Sequence, residues 1–344
     1  MGAVGRGLHC GVDLHGNNGY YGVVNESGER LMSKRLPNSL QTVLSELEPY
    51  RERLHHGVVV ESTFNWYWLV DGLNKHGYDA RLANPAGMEQ YKGLKNTDDE
   101  SDAFFLTEMS RLGILPEGYI YPKQDRPVRD LLRRRLLLVH QKTAHTLSFQ
   151  NLVARETGQM ISANTVQRLW PEQVKGYFED ERLVLMGRTN IEVMRFLTKE
   201  IQQIEKAVLG EVKLRPEYEK LLTVPGIGRI LALTIMLETG SLFRFRQVGN
   251  YTSYCRCVKS LRLSDGKAKG QNNRKSGNRY LEWAYVEAAN FMRRYCPEAK
   301  RWYQRKASRS NRVIATKALA SKICKACYFI MRDQTEFDVK MIFG

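Results

Sequence analysis

The chain is poor in what a membrane-spanning or secreted protein needs. Its 344 residues contain no run of eighteen apolar side chains, so no segment is long enough to cross a bilayer as a helix. Met1–Cys10 also lacks the apolar core of a signal peptide. Cysteine is scarce, with six in all: Cys10, Cys255, Cys257, Cys296, Cys324 and Cys327. Cys324-x-x-Cys327 has the spacing of half a zinc site. Its neighbours are apolar, however, and no second Cys-x-x-Cys or His-x3-His accompanies it, so reduced core thiols are expected. The expected compartment is a reducing cytoplasm. Acid is short relative to base: 37 Asp and Glu stand against 53 Lys and Arg, a formal charge of +16. Such an excess calls for a polyanionic partner, and with the membrane set aside that partner is nucleic acid.

The N-terminal third reads as alternating strands and helices. Leu8–Leu14 is a short buried strand carrying Asp13, followed by a turn at Gly16–Gly19 and strands at Tyr20–Val24 and Arg30–Leu36. A helix over Ser39–Leu54 leads to the apolar strand Gly57–Glu61, which ends in an acid. A helix at Asn65–Lys75, a strand at Asp79–Ala83 and a short helix at Pro85–Tyr91 follow. In an order β-β-β-α-β-α-β-α the first and fourth strands can be neighbours, which would bring Asp13 beside Glu61.

Four acids then fall within five positions: Asp98, Asp99, Glu100 and Asp102. Thr97 and Glu100 fit a capping box, so a helix is expected to start there. Asp102 lies on that helix's apolar stripe, and either Asp98 or Asp99 could share its face. Carboxylates gathered on a half-buried spot repel one another unless a proton or a cation joins them. Hard cations such as Mg2+ are held by carboxylates together with substrate phosphates. Asp13, Glu61 and Asp102, with Asp99 or Asp98, are therefore the candidate catalytic and metal-binding set, suited to clamping a phosphodiester between paired cations.

The remainder is helical. Pro127–Ala154 is a long helix with a basic start, and Glu181–Val212 is a second, with a 3–4 apolar spacing that fits either a coiled coil or packing within one chain. Leu221–Arg229 carries Val-Pro-Gly-Ile-Gly, a helix-hairpin-helix pattern in which Gly226 and Gly228 would let backbone N–H groups approach a DNA phosphate. Asp265–Gly277 is polar and Gly-rich and carries Lys267, Lys269, Arg274 and Lys275, the expected phosphate-gripping residues. Ser264 stands at its start. Lys300–Arg312 interleaves basic and aromatic residues, as nucleic-acid contacts do.

These motifs, in this order, resemble the DEDD transposases of insertion sequences that move through circular intermediates, a family also described as bridge-RNA-guided recombinases. Gly11-Val-Asp13, the strand end at Glu61 and Asp99-x-x-Asp102-Ala103 are similar to that family's RuvC-like tetrad, and this match selects Asp99 over Asp98. Val224–Gly228, Ser264-x-Gly-Lys267 and Lys275–Leu281 are similar to its transposase domain. The resemblance implies an α/β RNase H-like (RuvC-like) domain over residues 1–157, a helical coiled-coil insert over 158–215 and a small helical transposase domain over 216–344. It implies a homodimer or homotetramer that acts on donor and target DNA with an element-encoded guide RNA and Mg2+. It also implies that Ser264 attacks the scissile phosphate to form a phosphoserine link, and that tetrad and serine can come from different protomers.

Three other readings stand beside this one. The same fold could serve a junction endonuclease that uses water, which would leave no covalent adduct. Gly11-Val-Asp13 with Gly16 and Gly22 also resembles the first phosphate turn of actin- and hexokinase-like kinases, but no second Asp-Gly-rich motif follows. The last is a nucleic-acid-binding protein whose acids are structural only.

Overall fold

The computed structural model describes residues 7–88, 91, 98–211, 215–258, 263–265, 267–268 and 276–343. It is a mixed α/β protein that divides into two compact units after Lys123. Among the described residues, no helix is long and apolar enough to cross a membrane.

The first unit is built on a five-stranded sheet. Strands β1 (Leu8–Leu14), β2 (Asn18–Asn25) and β3 (Arg30–Pro37) form an antiparallel meander, and β4 (Val58–Glu61) and β5 (Ala80–Ala83) add in parallel. The order is β3-β2-β1-β4-β5, so the first and fourth strands are neighbours, as their sequence order led us to expect. All seven residues of β1 are buried, as are three of the four in β4, in keeping with central strands covered on both faces.

Helices α1 (Leu40–Leu47) and α2 (Tyr67–Lys75) bury Val43, Leu47, Leu69, Val70 and Leu73 in a core with Val12, Val58 and Val60. The single helix expected over Ser39–Leu54 gives way at Glu48 to a 3-10 turn, Glu48–Arg53, with Pro49 near its start. A proline there removes one helix donor and so favours a break. A short helix α3 (Pro85–Met88) leads toward α4 (Asp99–Arg111), which lies on the opposite face and packs Leu106 and Met109 against Val59 and Ala83. At Gly11 an added Cβ would stand 2.3 Å from the Ala103 carbonyl oxygen, so only glycine lets α4 lie this close to β1. That contact sets where the acids of the helix's first turn fall.

The described residues of the second unit are helical apart from connecting turns and one small hairpin. Helices α5 (Arg126–Thr157) and α7 (Glu181–Glu211) pack along each other, with α6 (Ala163–Arg168) and a 3-10 turn at Pro171–Gly176 between them in sequence. Phe149, Leu152, Val153, Ile191 and Met194 bury a common core there. Helices α8 (Pro216–Leu222), α9 (Arg229–Thr239), α10 (Val248–Tyr254), α11 (Arg279–Tyr295), α12 (Pro297–Ser308), α13 (Arg312–Asp333) and α14 (Val339–Phe343) build the largest core.

The fold gives Cys324 a setting that its sequence spacing did not show. Its thiol lies beside those of Cys255 and Cys257, so the partner of Cys324-x-x-Cys327 is a Cys-x-Cys about seventy residues away in sequence. Burial holds the Cys324 and Cys327 thiols well above their ordinary range, which keeps them protonated and unreactive.

Candidate active site

β1 and β4 run parallel with Cys10, Gly11 and Val12 opposite Val58, Val59 and Val60. One step further along this register come Asp13 and Glu61, side by side and on the face that α4 covers. Strand side chains alternate between faces, so Asp13 shares a face with Gly11, where α4 makes its closest approach. The neighbourhood of Asp13 and Glu61 therefore follows from register, and that of Asp102 from the glycine beneath the helix.

Asp13 is buried, and its Oδ2 has no hydrogen-bond donor within reach among the described residues. Its carboxyl is pushed up to about 7, first by burial, then by a hydrogen bond and charge repulsion from Glu61, with Asp102 adding to the repulsion. A hydrogen bond between two carboxyl groups exists only while they share a proton. Near neutral pH this corner of the sheet is short of positive charge.

Asp99 is reached from another direction. His15 follows Asp13 by two residues, and its Nε2 lies 2.9 Å from Asp99 Oδ1 and 3.6 Å from Asp13 Oδ2. Arg35, on β3, donates from Nη2 to Asp99 Oδ2 at 2.6 Å. These two partners hold the Asp99 carboxyl below its usual range, the His15 hydrogen bond more than that of Arg35. His15 is raised in turn, chiefly by the same bond. The loop carrying His15 is braced, since its carbonyl accepts from Asn38 Nδ2 at 3.0 Å and from Asn65 Nδ2 at 2.9 Å. Ligand atoms of Asp13, His15 and Asp99 all lie within 4.8 Å of one another, a spacing that can hold a metal ion.

Asp98 has a different task. It is the N-cap of α4, with Oδ1 accepting from Ser101 N at 2.7 Å and Oδ2 from Ser101 Oγ at 2.9 Å. The expected capping residue, Thr97, lies outside the described residues. Glu100, expected to complete the capping box, instead pairs with Arg30 at 3.1 Å and accepts from Ser33 Oγ at 2.7 Å. The local ambiguity between Asp98 and Asp99 is thus separated by geometry: one carboxylate serves its own helix and the other faces His15. The sequence reading does not single out His15 or Arg35. For His15 the only signal was its i, i+2 spacing from Asp13; for Arg35 there was none, since it arrives by strand pairing.

In the second unit, Ser264 lies in a two-residue strand β6 (Leu263–Ser264) that pairs with β7 (Lys267–Ala268), with Ser264 opposite Lys267. Asp265 takes a left-handed conformation, φ 54°, at the turn between them. Lys267 is exposed. Lys269, Arg274 and Lys275 lie outside the described residues.

The Gly-x-Gly hairpin divides into two roles. Gly226 has φ +93°, and a Cβ there would stand 2.5 Å from Met292 N and 2.6 Å from the Ala288 carbonyl oxygen, so its missing side chain admits the backbone of α11. Gly228 is the N-cap of α9, and a Cβ there would meet nothing within 4 Å. Of the two, only Gly228 faces open space where a phosphate can approach.

Comparison with known proteins bears on the whole chain. Residues 10–155 match the DEDD transposase model of the IS110 type, described as a transposase. Residues 218–304 match the model described as the transposase IS116/IS110/IS902 family. A probable family 20 transposase of Pseudomonas aeruginosa is 23% identical over 283 residues, covering 78% of this chain and 81% of that protein. The transposase for insertion sequence element IS1328 of Yersinia enterocolitica is 21% identical over 341 residues, covering 95% of this chain and 97% of that one.

Proposed function

We propose that the chain is a transposase of the IS110/IS116 family, an enzyme that cuts and transfers DNA strands, and that it does so as an RNA-guided recombinase with a serine nucleophile and Mg2+. The observation that carries this reading is the meeting of Asp13, Glu61 and Asp102 under the first turn of α4, with Asp99 alongside.

The family implies a divalent metal, and the residues present fit one. Their donors are hard carboxylate oxygens, one of them buried with no donor in reach among the described residues, and burial followed by the neighbouring acids lifts Asp13 to about 7. Asp13, Glu61, Asp99 and Asp102 would hold the ion, and we choose Mg2+ because the set is all-oxygen on the acid side. When bound, such an ion neutralises charge that develops on the phosphate oxygens and lowers the cost of deprotonating a hydroxyl.

The chain's own residues have distinct tasks in this scheme. Ser264 Oγ bonds to phosphorus while the phosphorus bond to the departing deoxyribose oxygen breaks. The serine proton passes to a carboxylate, and the departing oxygen takes up a proton in turn. A serine hydroxyl is a weak nucleophile without such help. His15 and Arg35 hold Asp99 in place and keep it ionised. Lys267, Lys269, Arg274 and Lys275, with the backbone at Gly228, would grip phosphates beside the serine.

We read the chain as three parts, an RNase H-like domain over 1–157, a coiled-coil insert over 158–215 and a transposase domain over 216–344, working as a homodimer or homotetramer. The strand order β3-β2-β1-β4-β5 supports the first of these. A guide RNA encoded by the element would select donor and target DNA by base pairing.

The test is a strand-exchange reaction with the cognate RNA, quenched in denaturant. Wild type is expected to trap a covalent protein–DNA adduct, and Ser264→Ala to trap none and exchange none. Hydrolysed ends without an adduct in wild type would instead assign the protein to the water-using junction endonucleases.

A further inference from the structure

The last helices of the second unit carry charge that nothing nearby balances. From Arg293 to Arg312 there are eight Lys or Arg residues against one acid, Glu298. Glu298 is itself engaged by Arg301 at 2.9 Å. Among the described residues, Arg293, Arg305, Lys306, Arg309 and Arg312 have no carboxylate partner. Elsewhere in the same unit the arginines find acids: Arg135 pairs with Glu205, Arg188 with Glu192 and Arg256 with Glu282.

Two of these cations, Arg293 and Arg312, line a groove. About 580 Å3 in volume, it is lined by Arg293, Tyr303, Ala307, Arg312, Val313 and Thr316 among others. The Arg293 guanidinium lies 5.0 Å over the Tyr303 ring, and the Tyr303 hydroxyl points to the Arg312 carbonyl oxygen at 3.5 Å. Val313 and Ile314 stand exposed beside it, at 69% and 49%. A solvated basic face would be convex and polar throughout. This one is recessed, and its lining joins cations to apolar surface.

We propose that this groove is a second nucleic-acid contact, distinct from the Ser264 loop and the acid cluster, and that it holds the backbone of an unpaired strand. Arg293 and Arg312 take phosphates, with exposed Arg309 three residues before Arg312 adding charge, while Val313 and Ile314 lie against sugars and bases. The choice of an unpaired strand follows from the apolar wall, since a duplex hides its bases and presents phosphates on a convex surface, whereas a single strand offers base faces to apolar and aromatic side chains. The proposal rests on the reading that this chain handles nucleic acid, and the experiment separates the two.

The experiment is fluorescence anisotropy of labelled oligothymidylate with the full chain, in EDTA so that the acid cluster takes no part through a metal. The expected result is tight, salt-sensitive binding by wild type. Arg309→Ala/Arg312→Ala should bind about tenfold or more weakly at low salt, with a log–log salt slope shallower by about 0.7 per lost phosphate contact. Val313→Asp should weaken the single strand more than a duplex of matched length. Lys199→Ala, which removes an exposed charge on α7, should bind as wild type, and circular dichroism melts establish that every variant is folded. Groove variants that bind oligothymidylate as tightly as Lys199→Ala overturn the groove while leaving the transposase reading intact, as does a loss confined to duplex. A wild type that binds neither form overturns both.

Discussion

Two buried acids, one in each unit, meet opposite fates. Asp13 lies among Glu61, Asp102 and His15, and its carboxyl is pushed up to about 7, first by burial and then by its acidic neighbours. Glu238, on α9, is just as buried. Arg133 donates to it from Nε at 2.5 Å and from Nη2 at 2.8 Å, Arg129 from Nε at 3.1 Å, and Asn278 from Nδ2 at 2.7 Å. Burial pushes Glu238 up too, but the Arg133 hydrogen bond and the charges of Arg133 and Arg129 overcome it, and the net shift is downward. Asn278 also caps α11, its Oδ1 accepting from Tyr280 N and Leu281 N, so the carboxylate helps fix where that helix begins. The fold neutralises Glu238 completely from within. It leaves Asp13 wanting a proton or a cation, as the proposed metal-binding role requires.

The largest effect that would sharpen this contrast is on strand transfer. Asp102→Asn or Glu61→Gln should lower the rate on the order of 10^3-fold or more, equivalent to about 4 kcal/mol of barrier, while melting like wild type. Activity within tenfold of wild type would mean the acids are structural. In the second unit the corresponding loss is in stability. Glu238→Ala leaves one buried guanidinium, Arg129, and one half-buried one, Arg133, without their carboxylate and should cost about 3–5 kcal/mol in urea unfolding of the full chain. A loss below about 1 kcal/mol would break the comparison from that side.

The two acids should also give stability opposite pH dependences. A carboxyl raised on folding destabilises the fold once pH exceeds its unfolded value, so without divalent ions the Asp13 contribution is lost as pH rises from about 4 to about 7. Asp13→Asn should therefore stabilise the metal-free protein at pH 8, by about 1–3 kcal/mol. Glu238, lowered on folding, contributes stability above its unfolded value and loses it as pH falls through its folded one. Melts of wild type and Asp13→Asn across pH 4 to 8 that run parallel would refute the Asp13 half of this pair.

The smallest expected effect concerns His15. As a residue that orients Asp99, it should affect metal binding modestly, and His15→Gln should weaken Mn2+ binding, followed by calorimetry, by about tenfold. Unchanged affinity would remove His15 from the site.

Much of this was legible in the residues. The strand and helix order, the adjacency of the first and fourth strands and the acids Asp13, Glu61 and Asp102 could all be read from apolar periodicity and chain order. The choice between Asp98 and Asp99 could not be read locally, because both sit at the start of one helix and differ only in direction. His15 and Arg35 were passed over because a lone histidine or a strand arginine carries no pattern. The thiol partners of Cys324 were missed because Cys255-x-Cys257 has a spacing of its own and lies far off in sequence.

The sequence by itself determined the elements, the basic balance and the supply of carboxylates, because these depend on residue type and on spacing along one strand or helix turn. The tertiary structure alone decided which acids meet one another and which meet arginine. That outcome depends on strand register, on a glycine that lets α4 settle onto β1, and on side chains such as Arg133 reaching an acid more than a hundred residues away in sequence. Electrostatic energy falls with distance in space, and a linear pattern does not state those distances.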